Sequence, residues 1–433
     1  MFYECNDILK GENVKVIRIN QEKMHSVLIC LIIGFEIIKN GLLNLIRMFG
    51  IAPWHVDTIV VYAAFVLVAM TSFFYVWQRI TALDVMFIAF VYLLLIISSL
   101  RYYDYSEYFK SLMIGFTYCA GAYLSVRALK NVELLQKNLR HMSPIITVAA
   151  IVLFNRGIGE KSYSMYLGYL VLPAAIISGS VFFNMFDISK KERIVHIINY
   201  AVATIMCLLS GVRGPLLCIA VFSALQILFF EYEKKRKITY IMIIVLATFL
   251  LYKHRDVLMM DLSVYAFDKN LSTRIFDKFF NGELFFDSGR SSYIKSGMDA
   301  LNSSLTSALF GVGVGGDRIQ IARALGINNV IGSYPHNLFV EILVQFGYIF
   351  GVILCVLLII LSTVAIKRSK NQTSGNILWI FFAIGILPLM FSDSYITEPF
   401  FFCYLAMCVN VISGTYEDNK AEQLGVKKEL QKQ

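Results

Sequence analysis

The 433-residue sequence is 58% hydrophobic, 14% aromatic and 16% charged, with a mean hydropathy of +0.65. Soluble domains average roughly 45–50% apolar and about 25% charged, so this chain has too few polar residues to wrap a soluble core, and lipid is its main solvent. The net charge of +9 reads as Lys and Arg gathered in cytoplasmic loops, with no nucleic-acid partner called for.

Residues 1–25 form a mixed-charge tail before the first apolar run, so no cleavable signal peptide is expected. Windows of about 20 mostly apolar residues then predict an all-α integral membrane protein of twelve spans. These are 26–46, 56–76, 83–100, 109–126, 142–155, 164–186, 194–210, 215–230, 238–252, 343–366, 375–391 and 398–414. The first carries Glu36 and Lys39 three apart on one helical face, placed to pair. The fifth is short. The cysteines lie in or beside apolar runs without a CxxC, apart from Cys5, and read as packing residues.

Basic residues in the short connections set the orientation. One alternating set holds Arg79, Arg127, Lys130, Lys137, Arg140, Lys190, Lys191, Arg193, Lys234, Lys235, Arg236, Lys237, Lys367, Arg368 and Lys370; the other holds Arg47, Arg101, Lys110, Arg156, Lys161 and Arg213. The excess predicts both termini in the cytoplasm. The layout is a cytoplasmic tail at 1–25, transmembrane helices 1–9 over 26–252, a large external loop at 253–335, helices 10–12 over 336–414 and a second cytoplasmic tail at 415–433. The loop is rich in aromatics, among them Phe276, Phe279, Phe280, Phe285, Phe286 and Tyr293, so it is expected to fold. It has no cysteine and must be held by packing on the bundle. Within it, Tyr293, Ile294, Met298 and Leu301 predict an amphipathic helix over 290–301.

The candidate chemistry falls on the external side. Arg213 lies in Ser210-Gly211-Val212-Arg213-Gly214-Pro215, a tight turn that presents a guanidinium at the membrane surface, where its planar fork can clamp a phosphate. The plainer reading is an arginine snorkelling to headgroups. Ser288-Gly289-Arg290-Ser291-Ser292 offers a second arginine, and Gly311-Val312-Gly313-Val314-Gly315-Gly316-Asp317 has the look of a phosphate cradle. No strand within a βαβ unit precedes this glycine run, so a turn folding the loop onto the bundle is the simpler reading. In Ser333-Tyr334-Pro335-His336-Asn337-Leu338, Pro335 suits a first helical turn, which puts His336 and Asn337 at a helix N-terminus where a neutral imidazole is favoured. Asp393, in the turn Phe391-Ser392-Asp393-Ser394, is a further acidic candidate. No convincing external metal cluster is present.

Taken in order, the Arg213-Gly214 turn, the long loop, Gly289-Arg290, the glycine run from Gly311, and His336-Asn337 followed after nine residues by Gly347 resemble the O-antigen ligase and polymerase superfamily. Those bacterial multispanning enzymes assemble surface polysaccharide outside the cytoplasmic membrane. The resemblance covers about 163–351 and implies an inverting, metal-independent glycosyltransferase without cofactor. Its donor would be a glycan on undecaprenyl pyrophosphate and its setting the bacterial inner membrane, with membrane lipid and a chain-length regulator as candidate partners. It implies that Arg213 and Arg290 hold the pyrophosphate and His336 orients or deprotonates the acceptor hydroxyl. Asn337 would hold its turn or the sugar, and Gly313, Gly315 and Asp393 would help bind substrate. The ligase pattern has Gly, Thr or Tyr three residues after the Gly347 position, where this chain has Phe350, which favours a polymerase over a ligase. The rival of another class is a flippase or secondary carrier, which also commonly has twelve spans with both termini inside.

Overall fold

The computed structural model describes residues 20–48, 56–155, 165–183, 188–229, 237–239, 242, 249, 253–268, 273–283, 289–369 and 373–415. Positions 1–19 of the expected N-terminal tail, 416–433 of the C-terminal one, all but four residues of the predicted ninth span, the basic positions 234–236 and the aromatics Phe285 and Phe286 lie outside the described residues. Helix accounts for 85% of the structure, and no strand occurs among the described residues.

The first eight helices are α1 (Gln21–Met48), α2 (Val56–Trp77), α3 (Ala82–Arg101), α4 (Ser106–Arg127), α5 (Val132–Asn155), α6 (Met165–Phe183), α7 (Lys190–Leu209) and α8 (Arg213–Phe229). The loop region supplies α9 (Arg255–Asp268), α10 (Arg274–Phe280), α11 (Arg290–Leu301), α12 (Leu305–Phe310) and α13 (Gly316–Leu325). The chain returns through α14 (Leu338–Arg368), α15 (Thr373–Gly385) and α16 (Pro399–Ser413). Among the described residues, each apolar run expected to span, apart from the ninth, therefore falls largely on a helix. By length and composition, five of these are suited to crossing a membrane: Gln21–Ile46, Ala82–Arg101, Lys190–Leu209, Leu338–Arg368 and Thr373–Met390. The fifth apolar run is the second part of a longer helix: α5 begins ten residues before 142, because Val132, Leu135 and Leu139 continue its buried stripe through a polar stretch that hydropathy alone skips.

The bundle is apolar on both its inside and its outside. On α3 and α14, Leu83, Met86, Phe90, Ile353, Leu357 and Ile360 are exposed, a continuous apolar exterior that water would not tolerate and lipid does. Inside, α1 packs on α5, α6 on α7, and α4 on α16. A Cβ at Gly41 would sit 2.7 Å from Ala149 Cβ, so α1 and α5 meet through small residues, as membrane helices do where dispersion is the main attraction. Glu36 and Lys39 do pair. Arg127, counted above as a loop cation, is instead a joint: its Nε donates to Asp84 Oδ1 (2.6 Å), Tyr123 donates to the same oxygen (2.9 Å), and a second guanidinium nitrogen reaches Asn410, tying α3, α4 and α16.

The loop region is folded onto α14, with Leu301, Val312 and Val344 as a small core and Met298 and Val340 against it. The amphipathic helix appears as α11, with Leu301 buried. The closest joint is backbone on backbone. Gly347 (φ 75°, ψ 177°) breaks α14, and the freed carbonyls of Val344 and Gln345 accept from Val312 N (2.9 Å) and Gly313 N (3.0 Å). Gly311 (φ 81°) faces Gly347 so closely that a Cβ at either would lie 2.2–2.3 Å from backbone of the other segment. Only glycine satisfies both the left-handed conformation and the approach.

Candidate functional site

Several of the candidate residues converge on one serine. Ser392 lies in the segment between α15 and α16, after a 3-10 turn at Pro388–Met390, and its N–H donates to the Pro388 carbonyl (2.8 Å). Its own carbonyl accepts from Tyr334 Oη (2.6 Å) and from His336 Nδ1 (2.9 Å), and its hydroxyl accepts from Arg290 Nη2 (3.3 Å). A Cβ on Gly214 would lie 3.4 Å from the same hydroxyl and 1.9 Å from Tyr169 Oη. The Arg213-Gly214 pair thus opens α8 directly against Ser392, and a side chain there would displace Tyr169. Arg290, His336 and the Arg213-Gly214 pair, far apart in sequence, are neighbours.

Local structure sets each of these side chains. Gly289 (φ 89°) caps α11 in the left-handed region and starts the helix at Arg290. Gly211 (φ 74°) reverses the chain after α7 so that Arg213 begins α8. The expectation for Pro335 is corrected. The helix starts at Leu338, not at Pro335, because Asn337 (φ −152°, ψ 119°) is the N-cap, its Oδ1 accepting from Phe339 N (3.1 Å) and Val340 N (3.2 Å). Asn337 therefore holds the turn. His336 precedes the cap at φ 53°, the one non-glycine residue with positive φ among the described residues. A β-carbon costs energy in that region, of order 1–3 kcal/mol, and here hydrogen bonding and ring contacts hold it: Tyr334 lies 4.3 Å and Tyr293 5.4 Å from the imidazole, centroid to centroid.

The hydrogen bond assigns the tautomer. A carbonyl oxygen only accepts, so Nδ1 carries the proton and Nε2 is left as the basic nitrogen. Burial holds His336 below the ordinary imidazole range, with the charges of Arg290 and Arg318 pushing the same way and the Ser392 hydrogen bond opposing. Asp393, beside this hub, is pushed up by burial while Arg290 pulls it down. Cations gather on the approach. Burial, and then the charges of Arg213, Arg274 and Arg290, push the Lys278 ammonium down, so α10 brings further positive charge to the two arginines.

The glycine run is elsewhere. Val312 and Gly313 are bonded to α14 as above, the Gly315 carbonyl accepts from Tyr108 Oη (3.1 Å) and the Val312 carbonyl from Tyr102 Oη (2.9 Å). A Cβ on Gly313 would meet Ser98 Oγ at 2.9 Å. Gly313 and Gly315 thus stand in the joint between the loop region, α3 and α4, whereas Arg213, Arg290, His336 and Asp393 stand together. Sequence reading missed Ser392, Tyr334 and Tyr169. Ser392 acts largely through its backbone carbonyl, which no residue type announces; its one signal was adjacency to Asp393. Among the described residues no group of three or more His, Cys, Asp or Glu side chains is arranged to hold a metal ion. No protein-family model and no curated protein matches the chain.

Proposed function

We propose that the chain is a lipid-donor glycosyltransferase, a surface-polysaccharide polymerase that extends a glycan carried on undecaprenyl pyrophosphate at the external face of the bacterial inner membrane. The observation that carries this reading is the convergence of Arg290, His336 and the Arg213-Gly214 helix start on Ser392. Glycosyl transfer from a diphosphate needs a base on the acceptor side and positive charge on the leaving-group side, held a few ångströms apart. His336 Nε2 takes the proton of the acceptor hydroxyl as that oxygen attacks the anomeric carbon from the face opposite the leaving group. The bond from that carbon to the phosphate oxygen breaks with inversion, and the pyrophosphate departs with its charge on Arg213 and Arg290. Two guanidiniums bind the phosphates bidentately and stay charged at any working pH, the task a divalent cation has elsewhere.

The acceptor is a second lipid-linked repeat unit in this reading; a ligase would use the outer sugar of lipid A core. Strains lacking the chain separate the two: loss of a polymerase leaves single repeats on the core, and loss of a ligase leaves long chains on the carrier lipid. The test against a carrier uses purified chain in proteoliposomes with undecaprenyl-pyrophosphate-linked repeat units and EDTA. Chain extension with release of undecaprenyl pyrophosphate supports the enzyme; movement of the lipid across the bilayer without extension contradicts it.

A further inference from the structure

Beneath the Ser392 hub lies a second polar cluster that the proposed chemistry does not use. Asp317 and Glu341 have no exposed surface, and Gln345 and Arg318 have 1% and 2%. Gln345 Nε2 donates to Asp317 Oδ1 (2.9 Å) and to Glu341 Oε1 (3.4 Å), and Arg318 Nη1 donates to the Ile331 carbonyl (2.8 Å). Four further atoms meet no protein partner: Asp317 Oδ2, Glu341 Oε2, and Nε and Nη2 of Arg318. Two donors and two acceptors are the complement of ordered water. Burying such a group rarely adds stability over apolar packing of the same volume, so its presence calls for another explanation.

Its contacts supply one. Ser394 donates to Glu341 Oε1 and Tyr395 donates to Gln345 Oε1, fastening the segment just after Ser392. On the other flank the Arg318 guanidinium lies 5.0 Å from the centre of the Tyr334 ring, and Tyr334 shares the Ser392 carbonyl with His336. Both segments that pin His336 in its left-handed conformation therefore rest on the cluster. α13 contributes Asp317 and Arg318, and the part of α14 before the Gly347 break contributes Glu341 and Gln345.

We propose that Asp317, Arg318 and Glu341 are positioning residues: they anchor the 392–395 segment and Tyr334 from below and so hold His336 with Nδ1 donating and Nε2 presented to the external face. Calling Nε2 the base rests on the transferase reading; the anchoring does not. The charged and titratable groups around His336 are Arg290 and Tyr293 from α11, Arg318 from α13, Tyr334 beside it and Asp393 across from it. The cluster thus acts on His336 through geometry and through one of two nearby guanidiniums.

Carbethoxylation of His336 by diethyl pyrocarbonate, followed by peptide mass spectrometry on the purified full chain, tests this without a glycan substrate. Glu341→Ala and Asp317→Ala should raise the His336 rate severalfold, with the His254 rate unchanged. Glu341→Gln keeps the acceptor for Ser394 and should restore the wild-type rate. Should the alanine variants fail to fold, Tyr395→Phe and Ser394→Ala each remove one anchor bond at little cost in volume and should raise the rate as well. Wild-type His336 rates in folded variants, whether the alanine set or the conservative pair, would overturn the inference and leave the cluster as packing. If the rates move as expected but no variant nor the wild type extends a glycan, the transferase reading fails and the anchoring stands.

Discussion

Arg290 and Arg213 can each be tested by a substitution that keeps the charge. Lysine has one point charge where arginine has a planar fork, so Arg290→Lys loses the bond to Ser392 Oγ as well as bidentate grip on a phosphate. Transfer by Arg290→Lys or Arg213→Lys should fall by at least about 10-fold, the cost of one good charged hydrogen bond, with expression unchanged. Activity equal to wild type in Arg213→Lys would return that residue to headgroup snorkelling. The His336 environment also predicts a pH dependence. Its folded-state value lies below the ordinary 6.5 because burial, then Arg290 and Arg318, disfavour the imidazolium. Between the lowered value and 6.5 the unfolded chain binds more protons, so this residue's contribution to stability is complete above 6.5 and is lost as pH falls through the folded value. A pH–rate profile should show the acid limb below 6.5. His336→Gln should remove the imidazole's share of acid destabilisation in a thermal melt series from pH 7 to pH 5.

At the scale of elements, the glycine pair decides whether the loop region docks. Gly347→Ala puts a β-carbon in the left-handed region and against Leu309 and Gly311 backbone. The conformational penalty alone is of order 1–3 kcal/mol, before the clash separates α12 from α14. A lowered melting temperature, with faster proteolysis within 289–325, is the expected result; wild-type melting would mean that the two backbones are not in contact. Gly282, where a Cβ would meet nothing within 4 Å, is the matched control. Much of this scale was legible in the sequence. Helix positions follow from apolar runs, α11 from helical spacing, and the glycine run as a fold-back turn from its lack of a preceding strand. What stayed hidden is what depends on distant partners. The early start of α5 rests on burial by α1 and α6. The shift of the helix start from Pro335 to Leu338 rests on Asn337 winning the capping contest, after which His336 is forced to φ 53°. Ser392 is recognised only from what its carbonyl and hydroxyl receive.

For the whole molecule, the apolar exterior and the five helices long and apolar enough to cross a membrane fix the setting in general terms, and the basic-residue bias predicts the orientation. A cysteine or reporter at Asn281 should react with an impermeant reagent in intact cells, and one after Lys237 only after lysis. The reverse pattern would put the Ser392 hub on the cytoplasmic side, away from an external glycan donor. The central claim is that the hub moves a proton and binds a leaving diphosphate, and His336 tests it most directly. A general base contributes about 10² to 10⁴ in rate. Purified chain in proteoliposomes with undecaprenyl-pyrophosphate-linked repeat units should therefore lose extension by that factor in His336→Gln while still binding the lipid donor, and His254→Gln should match wild type. Wild-type chain extension by a folded His336→Gln protein would contradict the account.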